Sequence, residues 1–196
     1  DLNDFQNRFD QMVNDGNTLE DKFYKRGNSI YVIVKGDTWE EAQSQAKNLG
    51  GNLATINDKE ENEWIVDQLF GEGKASDILK DRYYMEGEVK WGKTLWLGHT
   101  DLNLEGNYTS ITGEKNIYSN WVRDEEADGV RKREKYTQMY LFESPGYTPG
   151  QLGTVYNRQV NTQALRDEGG RHIFYGLAEI KINEIKDVNE DQLNDN

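Results

Sequence analysis

Acidic side chains concentrate in one stretch of the chain, residues 94–128, at spacings that suit a hard cation. They are Asp101, Glu105, Asp124, Glu125, Glu126 and Asp128. Calcium takes six to eight oxygen ligands in proteins, several of them carboxylates. Asp101 and Glu105 lie one helical-type turn apart in sequence, so both side chains can face one cation. The stretch therefore predicts a calcium site, or else a set of solvated loop acids or a Glu105 that caps the loop backbone.

The other reactive residue types do not combine into a zinc site or a catalytic site. The chain has no cysteine and only two histidines, His99 and His172. A zinc site of N and S ligands and a Ser-His-Asp triad both need partner motifs, and neither histidine has one. Glu125 and Glu126 could be drawn as a glycosidase dyad, but acids are too abundant here for that pairing to be specific. We therefore predict that the protein is not an enzyme.

Charge and hydropathy bound the partners and the location. A net charge of −13 argues against nucleic acid, because phosphate binding needs patches of Lys and Arg. No apolar run approaches the roughly twenty residues that cross a bilayer, so no membrane insertion is expected. Without an initiator Met or a signal-like segment, the chain is expected to be part of a longer polypeptide. The absence of cysteine favours a bacterial or cytosolic source, and it is compatible with an extracellular setting.

The acidic stretch follows a run of helix and strand signals. Residues 2–25 have apolar side chains at a helical period, and Ser29–Val34 is a run of β-forming residues. Thr38 with Glu41 forms a capping box that opens a helix, and Asn57 with Glu60 is predicted to cap a second. Later strands are predicted at Tyr136–Phe142, Thr154–Val160 and His172–Ile182, and residues 71–93 are interpreted as a charged insertion. Early helices followed by late strands indicate an α+β fold.

The acidic stretch itself begins as a strand and continues as a long polar loop. The strand comprises Leu95, Trp96 and Leu97, and it is predicted to break at Gly98. Apolar and aromatic residues spaced through the loop predict that it is folded, because a disordered segment has few such residues. These predicted anchors are Leu104, Tyr108, Ile111, Tyr118 and Trp121.

Several motifs resemble one family. The segment TWEEAQSQAKNLGGNLATINDKEENEWI resembles the first half of a C-type lectin-like domain. LWLGHTD resembles the core strand of that family, YSNW the approach to its binding loop and FYGLAEI its closing strand. The resemblance implies an α+β, C-type lectin-like fold, with two helices packed on small antiparallel sheets and a long binding loop. We expect a helical extension over residues 1–28, the lectin-like domain over 29–183 and an acidic linker or tail over 184–196.

The chain departs from the family where the family has disulfides. A cysteine on the first helix of family members bonds to one in the last strand, and those positions are Ala46 and Ala178 here. The loop disulfide maps onto Tyr136 and Asn161. Both bridges are missing in pairs, as in a cysteine-free bacterial branch. We therefore predict that Ala46 and Ala178 are in direct apolar contact.

The resemblance also implies two calcium positions. The sugar-bridging calcium of the family is held by an E-P-N triplet, which reads Glu125-Glu126-Ala127 here, by a later Glu that aligns with Glu134, and by an Asn-Asp pair. That pair reads Asn157-Arg158, after Tyr156 in place of the family's Trp, so this position is altered. A second calcium of some members falls at Asp101, Glu105 and Asp128. The predicted metal ligands are Asp101, Glu105, Asp128 and Glu125.

Together these observations predict a non-catalytic recognition domain of a bacterial surface or secreted protein. Its expected partner is a glycan or a cell-surface glycoprotein, bound with the help of Ca2+. The predicted ligand-binding residues are Glu125, Glu126, Asp128, Glu134, Tyr156 and Asn157, with Tyr147 or Tyr156 offering a ring for stacking. The alternative is a domain that binds protein or matrix with the same loop and without sugar. Ice binding, which this fold also supports, does not suit so charged a chain.

Overall fold

A computed structural model describes residues 1–79, 82–85, 88–90, 93–104, 106–115, 117–122, 135–155 and 171–182. Its helices within those residues are α1 Leu2–Asn14, α2 Trp39–Asn48, α3 Lys59–Leu69 and α4 Ala75–Ile78. The short helix α4 and the two strands that follow it lie in the segment interpreted above as an insertion. None of the described helices is long and apolar enough to cross a membrane.

Most of the described strands belong to one mixed sheet. Its strands are β1 Tyr24–Arg26, β2 Ser29–Lys35, β3 Asn52–Leu53, β6 Thr94–Thr100, β7 Thr109–Ser110, β8 Tyr136–Tyr140, β9 Leu152–Val155 and β11 Tyr175–Lys181. The main path runs β1-β2-β11-β6-β8-β9, with β3 added beside β11 and β7 beside β6. β11 and β6 run parallel, and the other pairs are antiparallel. A second sheet contains β4 Arg82–Met85, β5 Glu88–Lys90 and β10 Arg171–His172.

The mixed sheet is covered on both faces, which explains its nearly unbroken apolar strands. Successive residues of a strand point to opposite faces. Val32 and Val34 therefore join one cluster with Ala42 of α2, and Ile33 joins the other cluster with Ile65 of α3. Helices α1 and α2 cover one face and α3 covers the other. This arrangement confirms the predicted α+β fold and positions the loop that follows β6.

Capping interactions fix where α2 and α3 begin. The hydroxyl of Thr38 accepts from the N–H of Glu41, as predicted for α2. At α3 the predicted cap Asn57 with Glu60 is wrong by one residue. Asp58 is the N-cap and accepts from the N–H of Glu61, whose carboxylate in turn accepts from the N–H of Asn57 at 2.8 Å. The capping box lies one residue later than predicted because Glu61, and not Glu60, is the residue whose side chain bonds to the chain before the helix.

The two tryptophans of the family-like motifs connect α2 to β6. The indole N–H of Trp39 donates to the carbonyl of Leu97 at 2.8 Å, and the indole N–H of Trp96 donates to the carbonyl of Gly36 at 3.1 Å. Both bonds are buried, and each satisfies a ring donor that would otherwise cost free energy in the core. They fix the first helix of the motif against the strand that leads into the loop.

The residues at the missing disulfide positions occupy the same core cluster. Ala46 and Ala178 are both fully buried there, between α2 and β11. Ala42 lies one helical turn before Ala46, and a Cβ added at Gly176 of β11 would lie 3.0 Å from the Cβ of Ala42. Helix α2 therefore lies directly on β11. Small residues take the place of a disulfide by allowing this close approach. Asn161, which aligns with one half of the loop disulfide, lies outside the described residues.

The N-terminal helix is part of the packed core. Phe5, Phe9 and Met12 of α1 are buried in the cluster that also contains Ala46. After the helix, the N–H of Leu19 donates to the carbonyl of Ile33 at 2.9 Å, and β1 then pairs with β2. The helix predicted within residues 2–25 thus ends at Asn14 and is followed by an edge strand. The division into extension, domain and tail stays a prediction.

Two of the later strands differ from their predicted bounds. The predicted single strand His172–Ile182 is wrong, because β10 pairs with β4 in the second sheet whereas β11 pairs with β2 in the main sheet. The chain changes sheets at Ile173, which is buried in the core, and at Phe174, whose carbonyl accepts from the N–H of Gly36. β9 begins at Leu152, two residues before the predicted Thr154, and residues 156–160 lie outside the described residues.

Candidate functional site

The long loop, defined as residues 101–135 between β6 and β8, starts from a strand that runs past Gly98. The predicted break at Gly98 is wrong, because β6 continues to Thr100 and changes its register with β8 only after Leu97. Gly98 is required there because a Cβ would lie 2.2 Å from the carbonyl oxygen of Leu53. Its N–H donates to Ala54 at 2.8 Å, and its carbonyl accepts from Ile111 at 3.0 Å. The loop segment at Ile111 is thereby hydrogen-bonded to β6, the strand from which the loop starts.

His99, beside the start of the long loop, is a buried structural residue. Its Nε2 accepts from the N–H of Ile56 at 3.3 Å, and its Nδ1 lies 3.4 Å from the hydroxyl of Thr137. Burial lowers the pKa of His99 from 6.5 to about 4. A proton added at Nε2 would also face the Ile56 N–H, so two donors would meet. The imidazole therefore stays neutral at physiological pH and links the middle of the sheet to the chain before α3.

The loop begins with a closed turn at Asp101. Its carboxylate oxygen Oδ2 accepts from the N–H of Gly106 at 2.9 Å, and the N–H of Asn107 donates to the carbonyl of Leu104 at 2.9 Å. Asp101 is only 3% exposed. The turn presents two leucines to solvent, since Leu102 is 56% and Leu104 is 62% exposed. Leu104 is thus not a buried anchor as predicted.

The other predicted anchors do contact the protein. Ile111 packs against the cluster on the α2 side, whereas Tyr118 and Trp121 pack against the cluster on the α3 side. The ring of Tyr108 lies 5.6 Å from that of Trp121, centre to centre. All four side chains are half-buried. Aromatic and aliphatic contacts therefore attach the described parts of the loop to the protein core.

The last described part of the loop before residue 123 is bound to β9. The N–H of Val122 donates to the carbonyl of Leu152 at 2.9 Å, and the N–H of Leu152 donates to the carbonyl of Asn120 at 2.8 Å. The side-chain amide of Asn120 donates to the carbonyl of Gly150 at 3.1 Å. Trp121 lies between these bonds, opposite Leu152. The YSNW motif thus fixes the chain at the point where it enters the segment with most of the predicted ligand residues.

Among the predicted metal-ligating and ligand-binding residues, Asp101 alone lies within the described parts of the chain, together with the stacking candidate Tyr147. Those outside them are Glu105, Glu125, Glu126, Asp128, Glu134, Tyr156 and Asn157. Two segments that contain most of them, residues 123–134 and 156–170, border the same pair of strands. Residues 123–134 lead into Lys135 and β8, residues 156–170 follow β9, and Tyr136 of β8 pairs directly with Val155 of β9. Glu134 and Tyr156 therefore adjoin, in sequence, the same end of one strand pair.

Tyr147 is placed away from that strand end. Its ring lies 5.1 Å from the ring of Tyr140 and 5.3 Å from that of Phe142, centre to centre, in the turn that follows β8. Tyr140 is the last residue of β8, whereas Tyr136 is the first. The structure therefore does not bring Tyr147 to Asp101 or to the paired ends at Tyr136 and Val155.

Lys135 is a residue of the site that the sequence did not indicate. Its ammonium Nζ lies 3.6 Å from the Oδ1 of Asp101, and its carbonyl accepts from the N–H of Asp101 at 3.3 Å. Nothing in the sequence links two residues on opposite sides of a long loop. The only available signal was a lysine directly before a predicted strand, and that signal is common on protein surfaces.

The oxygen ligands described around Asp101 do not by themselves complete the coordination shell that calcium requires. One carboxylate is present, its Oδ2 already accepts a hydrogen bond, and a cationic side chain faces its Oδ1. Calcium needs several oxygen ligands at about 2.3–2.6 Å. Within the described ranges no group of three or more His, Cys, Asp and Glu side chains could hold a metal ion. Glu105, Asp128 and Glu125 lie outside those ranges, so this part of the metal prediction stays a prediction.

Sequence comparison identifies the family to which this mixed sheet and its long loop belong. The family model "Lectin C-type domain" matches residues 35–146, which is more than half of the chain. The chain therefore belongs to the C-type lectin domain family, as its motifs indicated. Members of this family are non-catalytic binding domains and are typically extracellular or secreted.

Individual relatives agree with this assignment. A perlucin-like protein from Mytilus galloprovincialis is 31% identical over 103 residues, which is 52% of this chain and 55% of that protein. The chain thus spans about half the length of that relative. Among solved structures, the cow C-type carbohydrate-recognition domain of CD23 is similar at a TM-score of 0.54 and 18% identity, over 85% of this chain and 98% of that one.

Two other solved structures show the range of the fold. The C-type lectin CEL-I from Cucumaria echinata has a TM-score of 0.53 and 16% identity, covering 82% of this chain and 96% of that one. A type II antifreeze protein described as calcium-independent has a TM-score of 0.53 and 15% identity, covering 81% of this chain and 91% of that one. At these identities the likeness shows the fold alone.

Proposed function

We propose that this chain is an extracellular carbohydrate-recognition domain of a bacterial surface or secreted protein, with a role in adhesion. The proposed ligand-binding residues are Glu125, Glu126, Asp128, Glu134, Tyr156 and Asn157. Family membership supports a binding role, and the cow CD23 domain was solved in the presence of the GlcNAc2Man3 oligosaccharide. The absence of cysteine supports a bacterial source, although the Mytilus relative is from an animal.

The observation that carries this proposal is that strand β9 holds described residues at the borders of both segments. Tyr136 pairs with Val155, and Val122 is bound to Leu152 at the start of the same strand β9. Three of the four described chain ends that border residues 123–134 and 156–170 are thus held at β9, whereas the fourth, Arg171, pairs with Tyr83 in the second sheet. A binding site needs its polar groups positioned by rigid elements, and paired strands provide this better than a free loop does. This supports one ligand site built from both segments.

Calcium enters the proposal at Glu125 and Asp128, with Glu134 as a further proposed ligand. Domains of this family commonly bind Ca2+, and Glu125 retains the carboxylate that the resemblance assigns to the sugar-bridging position. Glu126 and Ala127 replace a proline and an amide there, so fewer oxygens are supplied by the triplet. Additional oxygens would come from Glu134 and from backbone carbonyls or water.

A glycan array tests this proposal. We expect the wild-type chain to bind a defined set of glycans in millimolar calcium and to lose most of that binding in a chelator. The double variant Glu125→Gln/Glu134→Gln should lose binding by at least about tenfold, because two charged ligand groups are neutralised. Glu63→Gln is the matched control, since Glu63 is an exposed acid on α3 whose ion pair among the described residues is with Lys59.

The outcomes separate sugar binding from its alternatives. Unchanged glycan binding by the double variant would place the sugar elsewhere on the domain. Binding that persists in the chelator, and is lost in the double variant, would retain the site and remove calcium from it. A chain that binds no glycan at all would contradict carbohydrate recognition.

The exposed leucines favour a second candidate, the recognition of protein or matrix without sugar. Leu102 and Leu104 stand in solvent on a turn closed by Asp101 and Gly106. Exposed apolar side chains on a fixed turn suit contact with another protein better than contact with sugar hydroxyls. Binding to a matrix glycoprotein that survives enzymatic deglycosylation, and falls in Leu102→Ser/Leu104→Ser, would favour this candidate.

A further inference from the structure

The carboxylate of Asp101 is held in a buried position that requires a compensating positive charge. It is 3% exposed, and none of the described groups donates a hydrogen bond to its Oδ1. An isolated buried carboxylate is strongly unfavourable unless a cation or several donors stabilise it. The single N–H from Gly106 at 2.9 Å supplies one donor. A positive charge near Oδ1 is therefore a structural requirement of this turn.

Lys135 supplies a positive charge at that point. Its Nζ is 3.6 Å from the Oδ1 of Asp101, and its side chain is 27% exposed. The backbones of the two residues are joined as well, by the bond from the N–H of Asp101 to the carbonyl of Lys135 at 3.3 Å. The ammonium is thus delivered by the start of β8, which is a rigid part of the sheet. It neutralises the carboxylate at the base of the loop and joins the first and last residues of the loop.

A calcium ion at Asp101 would conflict with this arrangement. A divalent cation bound by Oδ1 would lie close to the ammonium, and like charges at such distances repel strongly in a partly buried site. Lys135 also adds donors where calcium needs acceptors. The resemblance implied a calcium ligand at Asp101, so the structure and the family pattern disagree at this residue.

We propose that the ammonium of Lys135 takes the place of a calcium ion at Asp101, so that the long loop folds at this base without bound metal. Calcium at Glu125 and Asp128, if the chain uses it for ligand binding, is then separate from the fold of the loop base. The inference concerns how the loop is held. It does not depend on which ligand the domain binds.

A double-mutant cycle tests the proposal by thermal unfolding in a chelator. Lys135→Gln leaves the buried carboxylate without its cation, so we expect the unfolding midpoint to fall by several degrees, on the order of 5 °C. Adding Asp101→Asn removes the buried charge and keeps an oxygen for the Gly106 N–H. The double variant should therefore be more stable than Lys135→Gln alone. Lys59→Gln, which breaks an exposed pair with Glu63, is the control and should change the midpoint by less than about 1 °C.

Calcium supplies the second arm of the test. The midpoint shift caused by millimolar calcium should be the same in wild type and in Asp101→Asn, since the ion does not use Asp101. Loss of that shift in Asp101→Asn would identify Asp101 as a calcium ligand and overturn the proposal. A Lys135→Gln variant as stable as wild type, or one that Asp101→Asn does not rescue, would also overturn it. The glycan array tests carbohydrate recognition independently of these unfolding midpoints. Failure of the Lys135 proposal can therefore be distinguished from failure of the proposed function.

Discussion

At the scale of single residues, neutral His99 connects three parts of the fold. Its ring accepts from Ile56 before α3 and lies beside Thr137 of β8, while its own backbone belongs to β6. The hydroxyl of Thr137 also donates to the carbonyl of His99 at 3.1 Å. Because the site is fully buried, the charged imidazolium is disfavoured in the folded state. His99 should therefore make the domain sensitive to mild acid.

We expect the free energy of unfolding to fall between pH 6.5 and about 4 through His99. The unfolded chain takes up a proton near pH 6.5 and the folded chain only near pH 4, so the unfolded state binds more protons in this window and stability is lost as pH falls. The loss attributable to His99 is about 3 kcal/mol at its full extent. Urea unfolding of wild type and His99→Gln at pH 7 and pH 4.5 measures it.

The variant isolates this residue from the many carboxylates that also titrate in acid. Glutamine offers an acceptor to Ile56 and a donor to Thr137 without titrating. His172→Gln is the matched control, because it removes the other histidine and should keep the acid-sensitive component. Equal pH dependence of wild type and His99→Gln would contradict the assignment.

At the scale of elements, a buried polar network joins β2, α3 and β11. The hydroxyl of Tyr31 donates to the carboxylate of Glu61 at 2.7 Å and lies 3.2 Å from that of Glu179. Glu179 also accepts from Ser29 at 2.7 Å and from the ammonium of Lys181. Burial is the main cause that raises the pKa of Glu61, and burial with the charge of Glu179 raises that of Tyr31. One phenolic proton thus serves two carboxylates.

Removing the phenolic hydroxyl should destabilise the domain most at neutral pH. We expect Tyr31→Phe to lower the free energy of unfolding by about 2–3 kcal/mol at pH 7, because a buried bond to a charged group is lost while the ring stays packed on Trp64. The pKa of Glu61 is already raised, so the cost of its buried charge is relieved as pH falls and the proton is taken up. The effect of the substitution should therefore shrink at pH 5.

The control for this prediction is Tyr24→Phe. The Tyr24 hydroxyl donates to Glu20 at 2.7 Å, but this pair is only partly buried. Its loss should cost less than about 1 kcal/mol. Equal losses for the two variants, or a Tyr31→Phe effect that grows in acid, would show that the network does not behave as described. Urea unfolding at both pH values provides the measurement.

At the scale of the whole molecule, α2 and β11 are joined by close packing where related domains use a disulfide. Ala46 and Ala178 are fully buried in one cluster, and Gly176 allows α2 to approach the strand. The N-terminal helix α1 enlarges the same cluster through Phe5 and Phe9. A larger apolar core on this face offsets the missing crosslink, since each buried aromatic side chain contributes about 1.5–3 kcal/mol.

Restoring the crosslink tests the alignment of these two positions. We expect Ala46→Cys/Ala178→Cys to form a disulfide on mild oxidation and to raise the free energy of unfolding by about 2–4 kcal/mol relative to its reduced form. The chain has no other cysteine, so a thiol titration reports the bond directly. Ala46→Cys/Ala54→Cys is the control, because Ala54 is buried in the cluster on the opposite face of the sheet. Free thiols in the first variant after oxidation would contradict the alignment.

Local sequence signals were sufficient for much of the fold. The cap at Thr38, the strand at Ser29–Val34 and the indole-bearing motifs depend on neighbouring residues, so their patterns predicted them correctly. The errors have physical causes of a longer range. Gly98 does not end β6, because the carbonyl of Leu53 from another strand requires a glycine in the middle of β6. Leu104 is exposed because the turn closed by Asp101 directs it outward.

By itself, the sequence determined the family, the non-catalytic class and the position of the loop, since these follow from residue types and their spacing along the chain. Only the tertiary structure decided how charges and polar groups are paired. Lys135 meets Asp101, and Tyr31 meets Glu61 and Glu179, across long separations in sequence. Burial then sets the cost of leaving each group unpaired, and burial is a property of the folded core. The acidic loop that the sequence presented as a cation site is held, at Asp101, next to the protein's own ammonium.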